Sequence, residues 1–200
     1  MNEHYPSIKC GKNLRFYQYI NEANMSLSDH LVADRQCNEC NVCCINLRIE
    51  NPALTKKADA RCPHLSNQTG CGIYEERPDV CRTWYCGWRV MPFLRDDMRP
   101  DRSKILIKQD ETGFVFQPLR AEYVNNLTNE NVLEAIGALV SNNIEVKTSI
   151  PTRPGYCNSL MSIHDQLRIA VENLDLQTAR QTMRSIIFRS RHSQTLPEPD

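Results

Sequence analysis

The hydrophobic pattern becomes regular only beyond residue 104. Residues 104–108 form an apolar run between two lysines, and residues 144–150 alternate between apolar and polar side chains, as half-buried strands do. A turn sequence at 110–113 separates the first run from another that begins at Phe114. We therefore predict a β-hairpin from residue 104 and a third strand at 144–150, ended by the turn sequence 151–155.

Helix-spaced patterns follow the hairpin and the third strand. Thr128 or Asn129 is suited to cap a helix. The apolar face of this helix would consist of Val132, Leu133, Ile136, Leu139 and Val140. Two further helices are predicted, one from Ser162 or His164 to about residue 173 and one over about 176–190. Residues 104–190 thus form one α+β region, and the polar tail 191–200 is expected to be mobile.

The first 89 residues have no comparable period. Residues 1–36 are mixed polar sequence with scattered aromatic residues, and we expect them to form an arm that packs on the body. Residues 37–89 are rich in Asn, Gly and Pro. Because such a segment buries little apolar surface, it needs a cross-link to become ordered.

The distribution of cysteine indicates what that cross-link is. The chain has ten cysteines, and eight of them lie between Cys37 and Cys86. Disulfides are one explanation, but the N-terminal residues lack the apolar segment of a secretion signal, so we expect the reducing cytoplasm. A dense cluster in that compartment more often binds metal. The predicted fold class is α+β, with an irregular cysteine-ligated metal knot at 37–89 followed by a hairpin, a helix, a strand and two C-terminal helices.

Two sequence elements carry these cysteines. The first is C-N-E-C-N-V-C-C, whose two-residue gaps let a tight turn aim several thiolates at one point. Its ligand candidates are Cys37, Cys40, Cys43 and Cys44. The second element supplies the candidates Cys62, Cys71, Cys81 and Cys86. Pro78 suits the first position of a helical turn, so Cys81 would lie where free N–H groups and the helix dipole lower the pKa of a thiol.

Other residues near the cysteines are predicted to support the site. The aromatic residues expected to shield it from water are Trp84, Tyr85 and Trp88. The basic residues expected to bridge its loops are Arg77 and Arg82. His64 is an alternative ligand, and Gly72 would let the backbone pass close to the centre. The isolated residues Cys10 and Cys157 are expected to pack as ordinary side chains.

The combined pattern, C-x-x-C-x-x-C-C followed by C-P-x-L and C-x-I-Y-x-x-R-P-x-x-C-R, resembles the YkgJ-type cysteine-cluster family of zinc- or iron-chelating proteins. The resemblance covers about a quarter of the chain. The matching positions are Cys37, Cys40, Cys43, Cys44, Cys62, Leu65, Cys71, Ile73, Tyr74, Arg77, Pro78, Cys81 and Arg82. Cys86 lies outside this pattern. The resemblance implies metal chelation and leaves the biochemical role open.

The spacing leaves two kinds of centre open. Zinc takes about four ligands, so the cysteines would suit two zinc sites. A [4Fe–4S] cluster often uses C-x2-C-x2-C with a remote Cys-Pro, which Cys37, Cys40, Cys43 and the pair Cys62-Pro63 imitate. We favour an iron–sulfur cluster, with zinc as the alternative. Neighbouring side chains point apart, so Cys43 and Cys44 are not expected to bind the same ion.

The expected function is therefore metal or iron–sulfur binding. The alternatives are a redox or electron-transfer protein that uses the cluster, a metal chaperone, and a structural zinc module that binds a protein partner. No catalytic motif is present, and an iron–sulfur oxidoreductase would be the first choice for an enzyme. Because Lys plus Arg equal Asp plus Glu at 24 each, the charge gives no reason to expect nucleic acid or a membrane as partner.

Overall fold

Short elements and loops build the cysteine region. The structure, a computed structural model, describes residues 31–66 and 70–198. The region contains α1 (Val42–Asn46), β1 (Ile49–Asn51), β2 (Leu54–Lys56), α2 (Asp79–Arg82) and α3 (Gly87–Val90). The antiparallel pair β1–β2 was not predicted, because three-residue strands are too short to show a period. Its small core consists of Leu54, Cys62 and Leu65.

A four-stranded sheet forms the second part of this α+β fold. The chain reaches it through a 3-10 turn (Asp96–Met98) and α4 (Pro100–Ser103). The strands are β3 (Ile105–Gln109), β4 (Gly113–Pro118), β5 (Glu145–Ile150) and β6 (Ser159–Ser162), paired in this order. β3 and β4 form the predicted hairpin, with Ile107 opposite Phe116. β6, a four-residue strand antiparallel to β5, was not predicted.

A helical connection makes β4 and β5 parallel neighbours. The chain leaves β4, passes through a 3-10 segment (Ala121–Thr128) and α5 (Glu130–Ser141), and returns along β5. Gly113 lies where the two strands meet. A Cβ at this position would lie 2.1 Å from the carbonyl oxygen of Glu145. Only glycine therefore permits this close approach of the two backbones.

Three helices cover the sheet and enclose the main core. α6 (His164–Glu172) and α7 (Leu176–Arg191) follow β6, and α6 packs against both α5 and α7. All five residues of the predicted apolar face of α5 are buried. Asn129 precedes α5 as predicted, although its side chain makes no capping hydrogen bond. Among the helices within the described ranges, none has both the length and the apolar character that crossing a membrane requires.

Both ends of the described chain are held on the body. The predicted arm lies mainly outside the described residues, but the Arg35 guanidinium donates to the carbonyl oxygens of Met91 at 2.8 Å and of Trp88, Pro92 and Leu94. The segment expected to be a mobile tail pairs with residues 152–157. The Cys157 N–H donates to Leu196 at 2.9 Å, and the Glu198 N–H donates to Gly155 at 3.0 Å.

Candidate metal centre

All eight cysteines of the predicted site line one cavity of about 210 Å³. They are Cys37, Cys40, Cys43, Cys44, Cys62, Cys71, Cys81 and Cys86. Each is a free thiol, and Cys62 is buried while the other seven are half-buried. Both cysteine elements thus contribute side chains to the same cavity. Cys157 lies apart, with its thiol directed to the Pro197 carbonyl at 3.7 Å, and Cys10 lies outside the described residues.

α1 positions the first cysteine element. A turn closed by the bond from the Cys40 N–H to the Cys37 carbonyl, at 2.8 Å, leads into the helix that carries Cys43 and Cys44. Lys56, which is 7% exposed, holds the other end of this helix. Its ammonium group donates to the Ile45 carbonyl at 2.9 Å and also to that of Leu47. A buried lysine thus satisfies carbonyl groups at the helix C-terminus.

Backbone hydrogen bonds bring the second element beside the first. The Cys62 N–H donates to the Cys44 carbonyl at 2.9 Å. Leu65 and Cys71 form an isolated β-bridge, which folds the intervening loop back on itself. The Gly72 N–H donates to the His64 carbonyl at 2.8 Å, and a Cβ at this position would lie 3.3 Å from that oxygen, so glycine allows these two backbone segments to approach closely.

Arg77 and Arg82 hold the loop before Cys81, in the bridging role expected for them. Arg77 donates to the Tyr74 carbonyl at 2.6 Å and stacks on the Tyr74 ring at 3.9 Å. Arg82 donates to the Arg77 carbonyl at 2.7 Å and to that of Glu75. Pro78 precedes α2 as its N-cap, one position earlier than predicted.

The expected low pKa of Cys81 is wrong. Burial raises the pKa of this thiol, and the neighbouring sulfurs of Cys44, Cys62 and Cys71 raise it further. α2 is only four residues long, and the Cys81 N–H already donates to the Pro78 carbonyl. The expectation considered the helix start alone, whereas crowding among thiols and removal from water both disfavour a thiolate.

The adjacent thiols Cys43 and Cys44 have opposite shifts. The Cys43 thiol hydrogen-bonds to the Cys44 sulfur, which raises the pKa of Cys43 well above its usual value. The same hydrogen bond lowers the pKa of Cys44 to about 7, against the effect of burial and with help from the Lys56 ammonium. Cys44 is therefore the thiol of this pair that deprotonates first.

Cys86 is the cysteine most closely joined to the body. It precedes α3 and packs against the main core together with Tyr85. Burial raises the pKa of Cys86 to about 12, although the N–H groups of Arg89 and Trp88 oppose the rise. Burial also raises the pKa of Cys37 and Cys40, with Arg89 opposing the effect at Cys37. A cation that binds these sulfurs must therefore displace protons from them.

Arg89 faces the cavity with unused hydrogen-bonding capacity. The residue is 8% exposed and lines the same cavity as the cysteines. Its guanidinium lies 5.8 Å from the centre of the Tyr85 ring. Within the part of the chain that the structure describes, its Nε and Nη1 atoms are buried without a hydrogen-bond partner. Buried donors are normally paired, so these N–H groups fit an anionic group inside the cavity.

The remaining predicted support residues are divided between cavity and core. Trp84 and Tyr85 line the cavity, whereas Trp88 is buried in the main core. His64 also lines the cavity but is exposed. Sequence reasoning missed Arg89 and Lys56, because an isolated basic residue has the pattern of a solvated surface side chain. The position of Arg89 three residues after Cys86 was the available signal.

The donor set fits a metal centre in its chemistry. Eight thiols, whose thiolate forms are soft ligands, are typical of zinc or iron–sulfur sites. The cavity is smaller than the roughly 300 Å³ or more of typical organic ligand pockets, so a compact inorganic group fits better than a nucleotide or flavin. In residues 31–66 and 70–198, no three Cys, His, Asp or Glu side chains are gathered around one ion-sized point. The sulfurs line a space instead of meeting at a point.

Comparison with known proteins finds no match, whether among family models, curated proteins or solved structures.

Proposed function

We propose that the chain is a metal-binding protein whose cysteine-cluster region is held together by an iron–sulfur centre or by zinc. One observation carries the proposal. Eight cysteines from a segment of 50 residues line a single cavity, and all are free thiols. Residues that merely packed would not require so many thiols on one surface, whereas a metal centre does. The residues that would hold the metal are these eight cysteines.

The shape of the site supports the iron–sulfur alternative over zinc. A tetrahedral zinc ion draws four sulfurs to about 2.3 Å from one point and leaves no space between them. An iron–sulfur cluster contains several iron and sulfide atoms, so its cysteine ligands surround a volume. The cavity of about 210 Å³, which the cysteines line together with other residues, has room for the second arrangement.

Arg89 supports an anionic centre. Four thiolates on Zn²⁺ or on a [4Fe–4S]²⁺ cluster leave a net charge of about −2. Such a charge in the cavity would give hydrogen-bonding partners to the Nε and Nη1 atoms of Arg89, which have none among the described residues. The guanidinium would then donate to sulfur and offset part of the negative charge.

A second candidate function, electron transfer, follows from the depth of the site. Seven of the eight cysteines are half-buried, so the centre would be shielded from water yet remain near the surface. An iron–sulfur cluster there supplies one-electron chemistry, and the exchange would be with a protein partner that docks nearby. A site of this type also suits a reducing compartment such as the cytoplasm.

Anaerobic purification followed by metal and acid-labile sulfide analysis tests the proposal. We expect brown protein with iron and sulfide in about equal amounts, or colourless protein with zinc and no sulfide. A reversible reduction potential would support the electron-transfer role. Protein that contains neither metal, and that binds neither after reduction and reconstitution, would contradict the proposal.

A further inference from the structure

We infer that the eight cysteines form two separate four-thiol metal sites that meet at α1. The first site consists of Cys37, Cys40, Cys43 and Cys86. The second site consists of Cys44, Cys62, Cys71 and Cys81. This inference rests on the proposed function and goes beyond it, because it assigns each ligand to a centre.

Packing places the second site inside the cysteine region. Cys62 belongs to the small core with Leu54 and Leu65, and both Cys44 and Cys81 pack against that core. The hydrogen bond between the backbones of Cys62 and Cys44 is 2.9 Å long, and the bridge from Leu65 carries Cys71 to the same place. The sulfurs that raise the pKa of Cys81 most strongly are those of Cys44, Cys62 and Cys71, so these three lie near it.

The first site lies against the body. Cys86 packs on the main core, and Cys40 faces the backbone N–H of Asp101 in α4. The sulfurs that raise the pKa of Cys86 most strongly are those of Cys37 and Cys40, so these two lie near it. The sulfurs of Cys37 and Cys86, as well as that of the neighbouring Cys44, raise the pKa of Cys43. These electrostatic interactions between thiols group the first cysteine element with Cys86, whereas Cys62 packs in the core beside the second site.

α1 explains why neighbouring cysteines divide between the sites. Successive residues of a helix point about 100° apart, so Cys43 and Cys44 cannot both face one ion from the same side. The two thiols still influence each other's pKa, and the Cys44 sulfur also lies close enough to raise the pKa of Cys37. The two sites are therefore adjacent parts of the one cavity and meet at α1.

The division differs from one sequence expectation. The cysteines at Cys37, Cys40 and Cys43 have the C-x2-C-x2-C spacing of a [4Fe–4S] site, which needs one remote cysteine. The sequence pattern suggested Cys62 as this remote cysteine, because proline follows it. The packing assigns this role to Cys86, although Cys86 lies outside the family pattern, and gives Cys62 to the second site.

Partial metal loading of the wild-type protein tests the division without any substitution. Reduced metal-free protein receives one equivalent of Zn²⁺ and is then alkylated and digested with trypsin. The tryptic peptide 36–48 contains Cys37, Cys40, Cys43 and Cys44 and no internal Lys or Arg. An ion in the first site protects three of these thiols, and an ion in the second site protects Cys44 alone.

We therefore expect singly loaded molecules to give peptides with one or three protected thiols. Empty molecules give peptides with no protected thiol, and doubly loaded molecules give peptides with four. Peptides with two protected thiols as the main singly loaded species would overturn the division. Zinc that protects no thiol in this peptide or elsewhere would instead overturn the proposed function. The two failures are thus distinguishable.

Variants provide a second test on protein purified anaerobically. Cys40→Ser and Cys71→Ser should each retain about half of the wild-type metal. The same-site double variant Cys40→Ser/Cys86→Ser should also retain about half, whereas the cross-site double variant Cys40→Ser/Cys71→Ser should retain almost none. The matched control Cys157→Ser should keep the full content. A same-site double variant that loses as much metal as the cross-site one would overturn the division.

Discussion

Replacing Arg89 by Met should weaken metal binding without destabilising the metal-free protein. The substitution keeps most of the aliphatic length of the side chain and removes the guanidinium. That group is buried, lines the cavity, and holds two N–H groups that have no hydrogen-bond partner among the described residues. Only the metal-loaded protein should therefore lose an interaction.

The magnitude follows from the two donors. A hydrogen bond that involves a charged group contributes about 1.5–3 kcal/mol, so two such bonds to the centre stabilise the loaded state by about 3–6 kcal/mol. Because about 1.4 kcal/mol corresponds to tenfold in affinity, the variant should bind metal at least about a hundredfold more weakly. In the metal-free protein the guanidinium gains no such bond, so the free energy of unfolding should stay unchanged or rise.

The assay combines chelator competition with urea unfolding of both forms. Arg184→Met is the matched control, since Arg184 is exposed on α7 far along the chain from the cysteines. The control should retain wild-type metal affinity. The reasoning is refuted if Arg89→Met binds metal as tightly as the wild type, or if it lowers the unfolding free energy of both forms equally.

Three further predictions concern other parts of the fold. Gly113→Ala should lower the free energy of unfolding in urea by about 3 kcal/mol, because its Cβ collides with the Glu145 carbonyl. Gly137→Ala inside α5 should raise it by about 0.5–1 kcal/mol, because its Cβ makes only an ordinary contact with the Val171 side chain at 3.8 Å; equal effects would contradict this. Burial would raise the pKa of Asp110, but hydrogen bonds from the Lys147 ammonium at 2.7 Å, from Thr112 and from the Gly113 N–H together outweigh burial and lower that pKa. The resulting stabilisation is present above the pKa that Asp110 has in the unfolded chain and is lost as pH falls through its pKa in the folded protein. Asp110→Asn should therefore lower the free energy of unfolding by about 1 kcal/mol at pH 7 and by progressively less from about pH 5 to pH 2. A difference that stays constant with pH would exclude the Asp110 carboxylate as its origin. Metal removal should increase hydrogen exchange in 37–89 and leave the sheet and helices protected; unchanged exchange would count against a metal-dependent fold.

The sequence predicted the second half of the fold well because its elements are long enough to show a period. α5 buries the apolar face expected from its spacing, and the strand predicted at 144–150 is β5. The parallel pairing of β4 with β5 depends on how the connecting helix packs, which no local pattern records. β6 was missed because its four residues, Ser159–Ser162, have two serines at their ends.

The candidate site was predictable in its ligand types but not in their arrangement. Cysteine spacing identified all eight cysteines that line the cavity, since few other roles require that density. Spacing could not show that Cys86 faces Cys37 and Cys40, because that proximity is made by α3 resting on the main core. Nor could it identify Arg89, whose significance comes from burial without a partner.

The position of the first site suggests how the two halves of the molecule become one structure. The small separate core of the cysteine region consists, among the described residues, of the buried side chains of Leu54, Cys62 and Leu65, which is too little to order some 50 residues by hydrophobic burial. Arg35 fastens the start of this region to the carbonyl groups after α3. A metal shared by the first element and Cys86 would fasten the next turn to the same place, so metal binding would both order the cysteine region and dock it on the sheet domain.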